Sequence, residues 1–584
     1  MLKNQFIDVK SFLLPDPEDT AMNFMTKEPF FRWALNNSDL VNGKLEEAMA
    51  ILLKKIGTEY TNDYIEAFCS NDLEKKTVFL NKVNEADLSQ NIDYTTLSFA
   101  GYTGDERSHI DPVNSVVSKI VSYRLKVRGF SANFNGTVAK LESEQMLADY
   151  IRKRFPVVVD KNGKFYRYDF TGVYVEISED LVKKTCKYVI DQGGPGMWNI
   201  RMEAKYYPTL LRDLPVIDQF DAEPDIINVQ NGLFNIRTMK LKPHTAEFVS
   251  RIQIPIEYNP EASCLRFKQY LDEVFEGDEH RILLIQEILG YGFLKDIKIQ
   301  KAFIFLGSGA NGKSVLSEVM HRLYGRENVS NTSLKRLTGN FGMQDLPGKL
   351  MNISSENQLN GDFNTENFKA LTAGDTLQVE RKYADAFSTR IIAKTVILLN
   401  SMMDSSDTTN GFYRRLLIVP FNRKFHELKQ NEERKPGIYY MDPDLIDKLA
   451  SELSGILNFA LEGLQRLRLN DFQLTASLSC SDALQQYIAT QNPISEFVED
   501  VIGGAPGERI LRPDLTRIYK EWLSKSGISG ATTNSQKVLT AIKSELTTKG
   551  IPYEEVKIKG QYYFNNINVK NDIQDVMTYV SALK

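Results

Sequence analysis

The run Phe303-Ile304-Phe305-Leu306-Gly307-Ser308-Gly309-Ala310-Asn311-Gly312-Lys313-Ser314 constrains this chain more than any other part of it. An apolar, strand-like stretch leads into G-x-x-x-x-G-K-S, and Val315-Leu316-Ser317-Glu318-Val319-Met320 then suits a helix. Strand, glycine-rich turn and helix in that order make a phosphate cradle. The glycines let successive backbone N–H groups turn toward one anion, and the helix points its positive N-terminus at the same place. Gly307, Ser308, Gly309, Ala310, Asn311, Gly312, Lys313, Ser314 and Val315 are therefore the expected nucleotide-binding loop. Lys313 can reach the β- and γ-phosphates, and the Ser314 hydroxyl can ligate Mg²⁺. The cofactors implied are ATP and Mg²⁺.

At 584 residues the chain is long enough for three or four domains. Its 42% apolar and 25% charged residues are those of an ordinary soluble globular protein. No apolar run approaches the length of a membrane span, and Met1-Leu2-Lys3-Asn4-Gln5 is no signal-peptide core, so no membrane partner is expected. Cys69, Cys186, Cys264 and Cys480 are scattered without a C-x-x-C pair, which argues against a disulfide framework or zinc site and suits a reducing cytoplasm. Five histidines spread over the chain make a His-based metal cluster improbable. The net charge of −5 leaves nucleic-acid contact to local patches.

Several segments set the organisation. Residues up to about 130 mix helical patterns with a basic stretch, 118–128, which reads as a solvated amphipathic strand or helix more readily than as a DNA contact. A helix over 142–154 precedes a hairpin over 155–168, its turn at Lys161-Asn162-Gly163. Residues 226–236 read as strand, turn, strand, and 265–295 as two helices that feed the strand before the loop. Gly503-Gly504-Ala505-Pro506-Gly507 reads as a linker.

Downstream of the loop, Leu350-Met351-Asn352-Ile353-Ser354-Ser355-Glu356 is a short apolar strand ending in an acid. Glu356 is placed to hold and deprotonate an attacking water, with Ser355 where a Mg²⁺-binding Asp often stands. Lys394-Thr395-Val396-Ile397-Leu398-Leu399-Asn400 suits the centre of a parallel sheet, and Asn400 at its end would orient water beside the γ-phosphate. Arg415, just ahead of the apolar run 416–421, is either a structural ion-pair partner or a cation offered to a neighbouring subunit's nucleotide. Between these strands, an extended run ends in Arg381-Lys382-Tyr383, two cations beside an aromatic. That set is either a single-strand contact or a solvated hairpin tip.

The order of P-loop, acid-ended strand, basic hairpin, Asn-ended strand and Arg resembles a superfamily 3 helicase of the AAA+ class. More narrowly it is similar to the P4-type phage and plasmid primase-helicase family with its poxvirus-type collar region. The resemblance runs from about 140 to 570. It is carried by Asn231-Gly232-Leu233, Ile254-Pro255-Ile256-Glu257-Tyr258-Asn259-Pro260 and Glu287-Ile288-Leu289-Gly290-Tyr291 ahead of the P-loop. Beyond it come Ser355-Glu356, Leu371-Thr372-Ala373-Gly374-Asp375, Tyr413-Arg414-Arg415-Leu416 and the run 455–464. Self-loading initiator-helicases of staphylococcal islands and cassettes are the kind of protein it suggests. The resemblance implies that Lys313 and Ser314 bind MgATP and that Glu356 is the catalytic acid and, with Ser314, serves the metal. It makes Asn400 a sensor, Arg415 in preference to Arg414 the finger acting across an interface, and Lys382 a cation of a central channel. A homo-hexamer around single-stranded DNA, moving 3′ to 5′, is implied, with a primase or polymerase as a further partner. No strand ending in Asp-x-Asp occurs in the first 130 residues, so primer synthesis by this chain is not expected.

The expected fold is α/β, an AAA+ P-loop ATPase core with mixed α+β N-terminal regions and a C-terminal winged-helix domain. Its spans are 1–135 without an assigned role, 136–290 for the collar region, 291–430 for the ATPase, 431–500 for a helical segment and 501–584 for the winged helix. The last span reads as helices at 513–524 and 535–549, then extended segments joined at Gly560. Over 501–570 it carries eleven Lys and Arg against six Asp and Glu, the footprint of a duplex-binding module. Gln536, Lys537 and Lys543 lie on its recognition helix and Lys557 and Lys559 on its wing, in position to hold double-stranded origin DNA unless the module serves only protein packing. Two alternatives to a replicative helicase stand at this point: a primase-helicase, and an origin-binding initiator that ATP merely switches.

Overall fold

The computed structural model describes residues 8–14, 21–56, 58–69, 72–90, 92–104, 112–131, 140–193, 197–337, 342–356, 365–381, 384–403, 405, 407, 409–428, 433–491, 493–526 and 533–570. It is a mixed α/β chain in two compact units, Met1–Ala222 with Thr245–Arg251, and Glu223–His244 with Ile252–Lys584.

In the first unit, helices from Ala21–Lys27 to Pro112–Val127 enclose an apolar cluster around Phe30, Phe31, Leu52, Tyr64 and Val116. The basic stretch 118–128 falls on the last of these helices, with Ile120 and Leu125 buried and Lys119 and Lys126 exposed. Arg128 is buried, its guanidinium 4.3 Å from the Tyr150 ring centre, so this cation is spent on packing. Helix Glu144–Arg154 then precedes a four-stranded sheet containing the hairpin Val157–Asp160 and Phe165–Tyr168. The hairpin turns at Gly163, whose φ is 78°.

The second unit is built on a five-stranded sheet. Helices α1 (Leu265–Phe275) and α2 (Glu279–Tyr291) lead into β1 (Ala302–Leu306), and α3 (Lys313–Tyr324) follows the loop. Strands β2 (Val329–Ser330), β3 (Met351–Glu356), β6 (Lys394–Leu399) and β7 (Leu416–Pro420) complete the sheet in the order β2-β3-β6-β1-β7, every pair parallel. Between β3 and β6 the antiparallel hairpin β4 (Thr376–Arg381) and β5 (Ala384–Arg390) stands apart as its own ribbon. All six residues of β6 are buried, as a strand covered on both faces requires. Alternate side chains serve two cores. Phe303, Phe305, Val396 and Leu398 join the cluster under α1, α2, α3 and α4 (Leu453–Leu469). Ala302, Ile304, Ile397 and Leu399 join the one containing Leu334, Phe368, Phe412 and Tyr487.

Helices α2 and α4 approach closely because glycine faces backbone at both contacts. A Cβ on Gly290 would lie 2.3 Å from the Ala460 carbonyl oxygen, and one on Gly463 2.3 Å from that of Gln286. Arg466 and the buried Glu287 seal the contact at 2.8 Å.

The C-terminal part packs α5 (Pro493–Val501), α6 (Arg512–Lys525) and α7 (Ser535–Thr548) with β8 (Ile502–Leu511), β9 (Glu554–Ile558) and β10 (Gln561–Val569). The strands are antiparallel in the order β8-β10-β9. Gly503-Gly504-Ala505-Pro506-Gly507 is therefore no linker. It lies within β8, and the register irregularity between Gly504 and Arg509 lets Pro506 sit in a strand without a ladder bond. Lys559 and Gly560, at φ 48° and 86°, form the tight turn between β9 and β10.

Two stability tests follow from this packing. Gly463→Ala forces two backbones apart and should cost about 1–3 kcal/mol, read as a lower midpoint in thermal unfolding. Lys394, at the buried start of β6, donates to the Leu294 carbonyl and lies 5.2 Å from the Tyr291 ring centre. Burial pushes its amine down to about 7, with Asp296 opposing. The unfolded chain therefore binds the extra proton between about pH 7 and the ordinary lysine value of 10.5, and stability rises with pH across that window. The urea midpoint should climb from pH 7 to about 9 in the wild type and climb less in Lys394→Met. Above the ordinary thiol value of 9.0, Cys186 and Cys264, which burial raises to about 12 and about 11, oppose the rise. The remaining rise comes from Lys301 and Lys313, which burial lowers in the same sense.

Candidate active site

The loop after β1 is fixed before any ligand is considered. Gly307 N–H donates to the Leu399 carbonyl at 3.1 Å and Phe421 N–H to that of Leu306 at 2.7 Å, which pins the turn between β6 and β7. Gly309, Ala310 and Gly312 have φ of 104°, 50° and 90°, turning backbone amides toward the loop's interior. The Tyr270 hydroxyl of α1 donates to the Gly312 carbonyl at 2.8 Å, and Phe425 N–H donates to that of Ala310 at 2.7 Å. Asn311 Nδ2 donates to the Phe421 carbonyl at 3.3 Å.

Helix α3 begins at Lys313 with Gly312 in the capping position and no side chain capping it. The amides of its first turn are left for a ligand, at the positive end of the helix. Lys313 is 5% exposed. Its Nζ donates to the Gly307 carbonyl, to Asn311 Oδ1 at 3.1 Å and to Asn400 Oδ1 at 3.5 Å. These acceptors are neutral, and burial accordingly lowers the lysine's pKa. A buried ammonium with no carboxylate counter-charge among the described residues is a strong receptor for an anion.

These groups open on a cavity of about 490 Å³, the size of a small-molecule site. Gly309 through Val315 line it, with Ser355 and Asn400 from the C-terminal ends of β3 and β6. Gly307 and Ser308 form the turn behind it and are not among its lining residues. Glu356 closes β3 opposite Leu399, and its side chain lies outside the described residues. The far wall comes from Arg266, Tyr270 and Glu273 of α1 and from Phe425, Tyr440, Met441, Asp442, Pro443 and Leu445. Sequence reasoning missed this wall. Tyr270 and Glu273 are three apart on a helix that otherwise reads as core, and no motif marks 440–445. Among the described residues no cluster of His, Cys, Asp and Glu could hold a metal by itself, so Mg²⁺ would rely on Ser314 and the bound phosphates.

Arg415 does not join this cavity. It precedes β7, whose far end meets the loop through Phe421, so about 13 Å of parallel strand separates the two. Its Nη1 donates to the Gly411 carbonyl, while its Nε is buried without a partner. No described carboxylate forms an ion pair with it. Burial lowers its pKa first and the adjacent, exposed Arg414 next, with Asp375 opposing. Arg381 ends β4 at the hairpin tip, but its side chain, and Lys382 and Tyr383 altogether, lie outside the described residues.

In the C-terminal part, Gln536 and Lys537 open α7, their amides capped by Asn534. Lys557 on β9 lies 5.2 Å from the Tyr562 ring centre, and Lys559 forms the turn. Lys543 is committed elsewhere: it pairs with Glu555, which also holds Arg512 at 2.5 Å.

Comparison with known proteins bears on both halves of this arrangement. Residues 305–415, from the strand before the loop to Arg415, match a family of unknown function (DUF5906), and residues 144–276 match a D5 N terminal like family. A protein named "Putative helicase 121R" from Invertebrate iridescent virus 3 is 23% identical over 53% of this chain and 36% of its own length. "Putative helicase L207/L206" of Acanthamoeba polyphaga mimivirus is 23% identical over 42% of this chain and 27% of its own. A "Putative primase" of African swine fever virus (strain Badajoz 1971 Vero-adapted) is 23% identical over 64% of this chain and 41% of its own. The chain thus spans between about a quarter and two fifths of the length of these relatives. The C-terminal region of NrS-1 is similar at 14% identity over 71% of this chain and 95% of that one, with a TM-score of 0.39, a likeness too weak to argue from. The D5 N terminal like match and the viral relatives support a primase-helicase family. No described helix is long and apolar enough to cross a membrane.

Lys313→Ala should abolish binding of a fluorescent nucleoside triphosphate. Tyr270→Phe, which removes only the bond to the Gly312 carbonyl, should weaken it by about threefold to tenfold, the scale of one hydrogen bond.

Proposed function

We propose that this chain is an ATP-dependent DNA helicase, an origin-binding replication initiator of a mobile genetic element. The observation that carries the reading is the meeting of Lys313, the uncapped start of α3, Ser355 and Asn400 around one cavity at the carboxyl edge of a parallel sheet. A binding loop alone needs no polar side chains from two further strands, whereas hydrolysis needs water held beside the γ-phosphate. The names of the viral relatives, helicase and primase, favour a replication role.

In this reading Lys313 and the loop amides hold the triphosphate and Ser314 contributes the metal's hydroxyl ligand. Mg²⁺, when bound, neutralises charge on the phosphate oxygens. Glu356 takes a proton from the attacking water and Asn400 orients it. Arg415 stands at the wrong end of β7 for its own cavity, so it acts on the nucleotide of an adjoining copy, as in a hexameric ring. Arg381, Lys382 and Tyr383 at the hairpin tip grip single-stranded DNA in the channel of that ring. The 3′-to-5′ direction rests on the family resemblance. The C-terminal helices and three-stranded sheet form a winged helix that binds the duplex origin. The primase name of the African swine fever virus relative favours a second reading, a primase-helicase, which template-dependent nucleotide incorporation by this chain would establish.

Strand displacement on forked DNA with a single 3′ or 5′ tail tests the proposal. Unwinding of the 3′-tailed fork should occur with ATP and vanish in Lys313→Ala. Arg415→Ala should also be inactive in hydrolysis, and an equal mixture of the two variants should recover activity, since some interfaces then pair an intact Lys313 with an intact Arg415. DNA-stimulated hydrolysis without unwinding on either fork would instead favour an ATP-switched initiator.

A further inference from the structure

We infer that a groove between α6 and α7 is a clamp for a backbone phosphate of duplex DNA. This rests on the reading of the C-terminal module as a duplex binder and adds a contact site to it. The groove, about 350 Å³, is lined by Arg512, Thr516, Arg517 and Lys520 of α6 and by Ser535 and Leu539 of α7. Three cations and two hydroxyl-bearing residues thus converge beside the start of α7.

The charges in this module are not equally available. Glu555 binds both Arg512 and Lys543, and those two partners, Arg512 first, hold its carboxyl below the usual range. That triad ties β9 to both helices and spends two of the module's cations internally. Lys520 has no ion-pair partner among the described residues and is exposed. Among the described residues Arg517 pairs only with Asp514, one turn back, at 3.1 Å, with its side chain 44% exposed. The Nε of Arg512 is buried without a partner. Among the described residues the groove therefore gathers positive charge free for an external anion in one place, whereas Lys543 is paired and Lys537, Lys557 and Lys559 stand outside it.

The groove's shape selects the kind of anion. No aromatic side chain lines it, so it offers no platform for a stacked base, as a single strand or a free nucleotide would require. A phosphodiester presents two unesterified oxygens and a single charge, which suit the Lys520 ammonium, the Arg517 guanidinium and the Ser535 hydroxyl. Gln536 and Lys537 follow Ser535 directly, so a phosphate held here would fix the start of α7 against the duplex while carrying no sequence information.

The experiment is a salt series of duplex binding by the full chain, followed by fluorescence anisotropy of a labelled random-sequence duplex. Arg517→Gln/Lys520→Gln should weaken binding by about tenfold or more and make the dependence of log K on log salt shallower by about one, the share of one phosphate contact. Triphosphate binding at the Lys313 cavity and the thermal midpoint should not change. If Arg517→Gln/Lys520→Gln binds as wild type while Lys557→Gln/Lys559→Gln binds weakly, the module is a duplex binder and the clamp is wrong. If neither variant alters duplex binding, the duplex-binding reading falls and the clamp with it. Inorganic pyrophosphate, tested in a Lys313→Ala background, distinguishes a small free ligand. Binding of pyrophosphate that Arg517→Gln/Lys520→Gln removes, with duplex affinity untouched, would also overturn the clamp.

Discussion

Burial of β6 and β1 on both faces is the constraint from which the rest of the second unit follows. A parallel sheet covered on both sides must return each strand through a crossover, so all its carboxyl ends face one edge. That edge gathers the phosphate loop after β1, Ser355 from β3 and Asn400 after β6, although long stretches of chain separate them. Register matters as much as direction. Ser355 pairs with Leu398 and lines the cavity, whereas Ser354 is turned into the interior with its hydroxyl unpartnered. A slip of one residue in β3 would exchange the two.

What the sequence made legible was whatever depended on local pattern. The P-loop, the apolar strands ending at Glu356 and Asn400, and the paired helices at 265–295 all carry their signal within a few neighbours. Three things did not. The strand Ile502–Leu511 was hidden by composition, because its glycines and proline read as a break, and only the partner strand β10 supplies the ladder that holds it. The wall of the cavity at Tyr270 and 440–445 is assembled by tertiary packing alone. The fate of individual cations was also invisible: Lys543 and Arg128 look free in a line of letters, yet one is paired with Glu555 and the other lies over Tyr150.

Arg415 shows how strand direction decides which residues can share a site. The sheet sends the phosphate loop and this arginine to opposite ends of adjacent strands, and no carboxylate among the described residues forms an ion pair with the arginine. Burial first, and the adjacent Arg414 next, lower its pKa, with Asp375 opposing.

The two hydrogen bonds that hold the phosphate loop from outside, Tyr270 to the Gly312 carbonyl and Phe425 to the Ala310 carbonyl, have a consequence for binding thermodynamics and for motion. With both carbonyls tied, the peptide planes around Asn311 are already oriented, so a ligand entering the loop forfeits little conformational entropy. The same ties make the loop a mechanical junction. Any shift of those peptides when the cavity fills must be transmitted to α1 or to the segment around Phe425, the two elements that grip it.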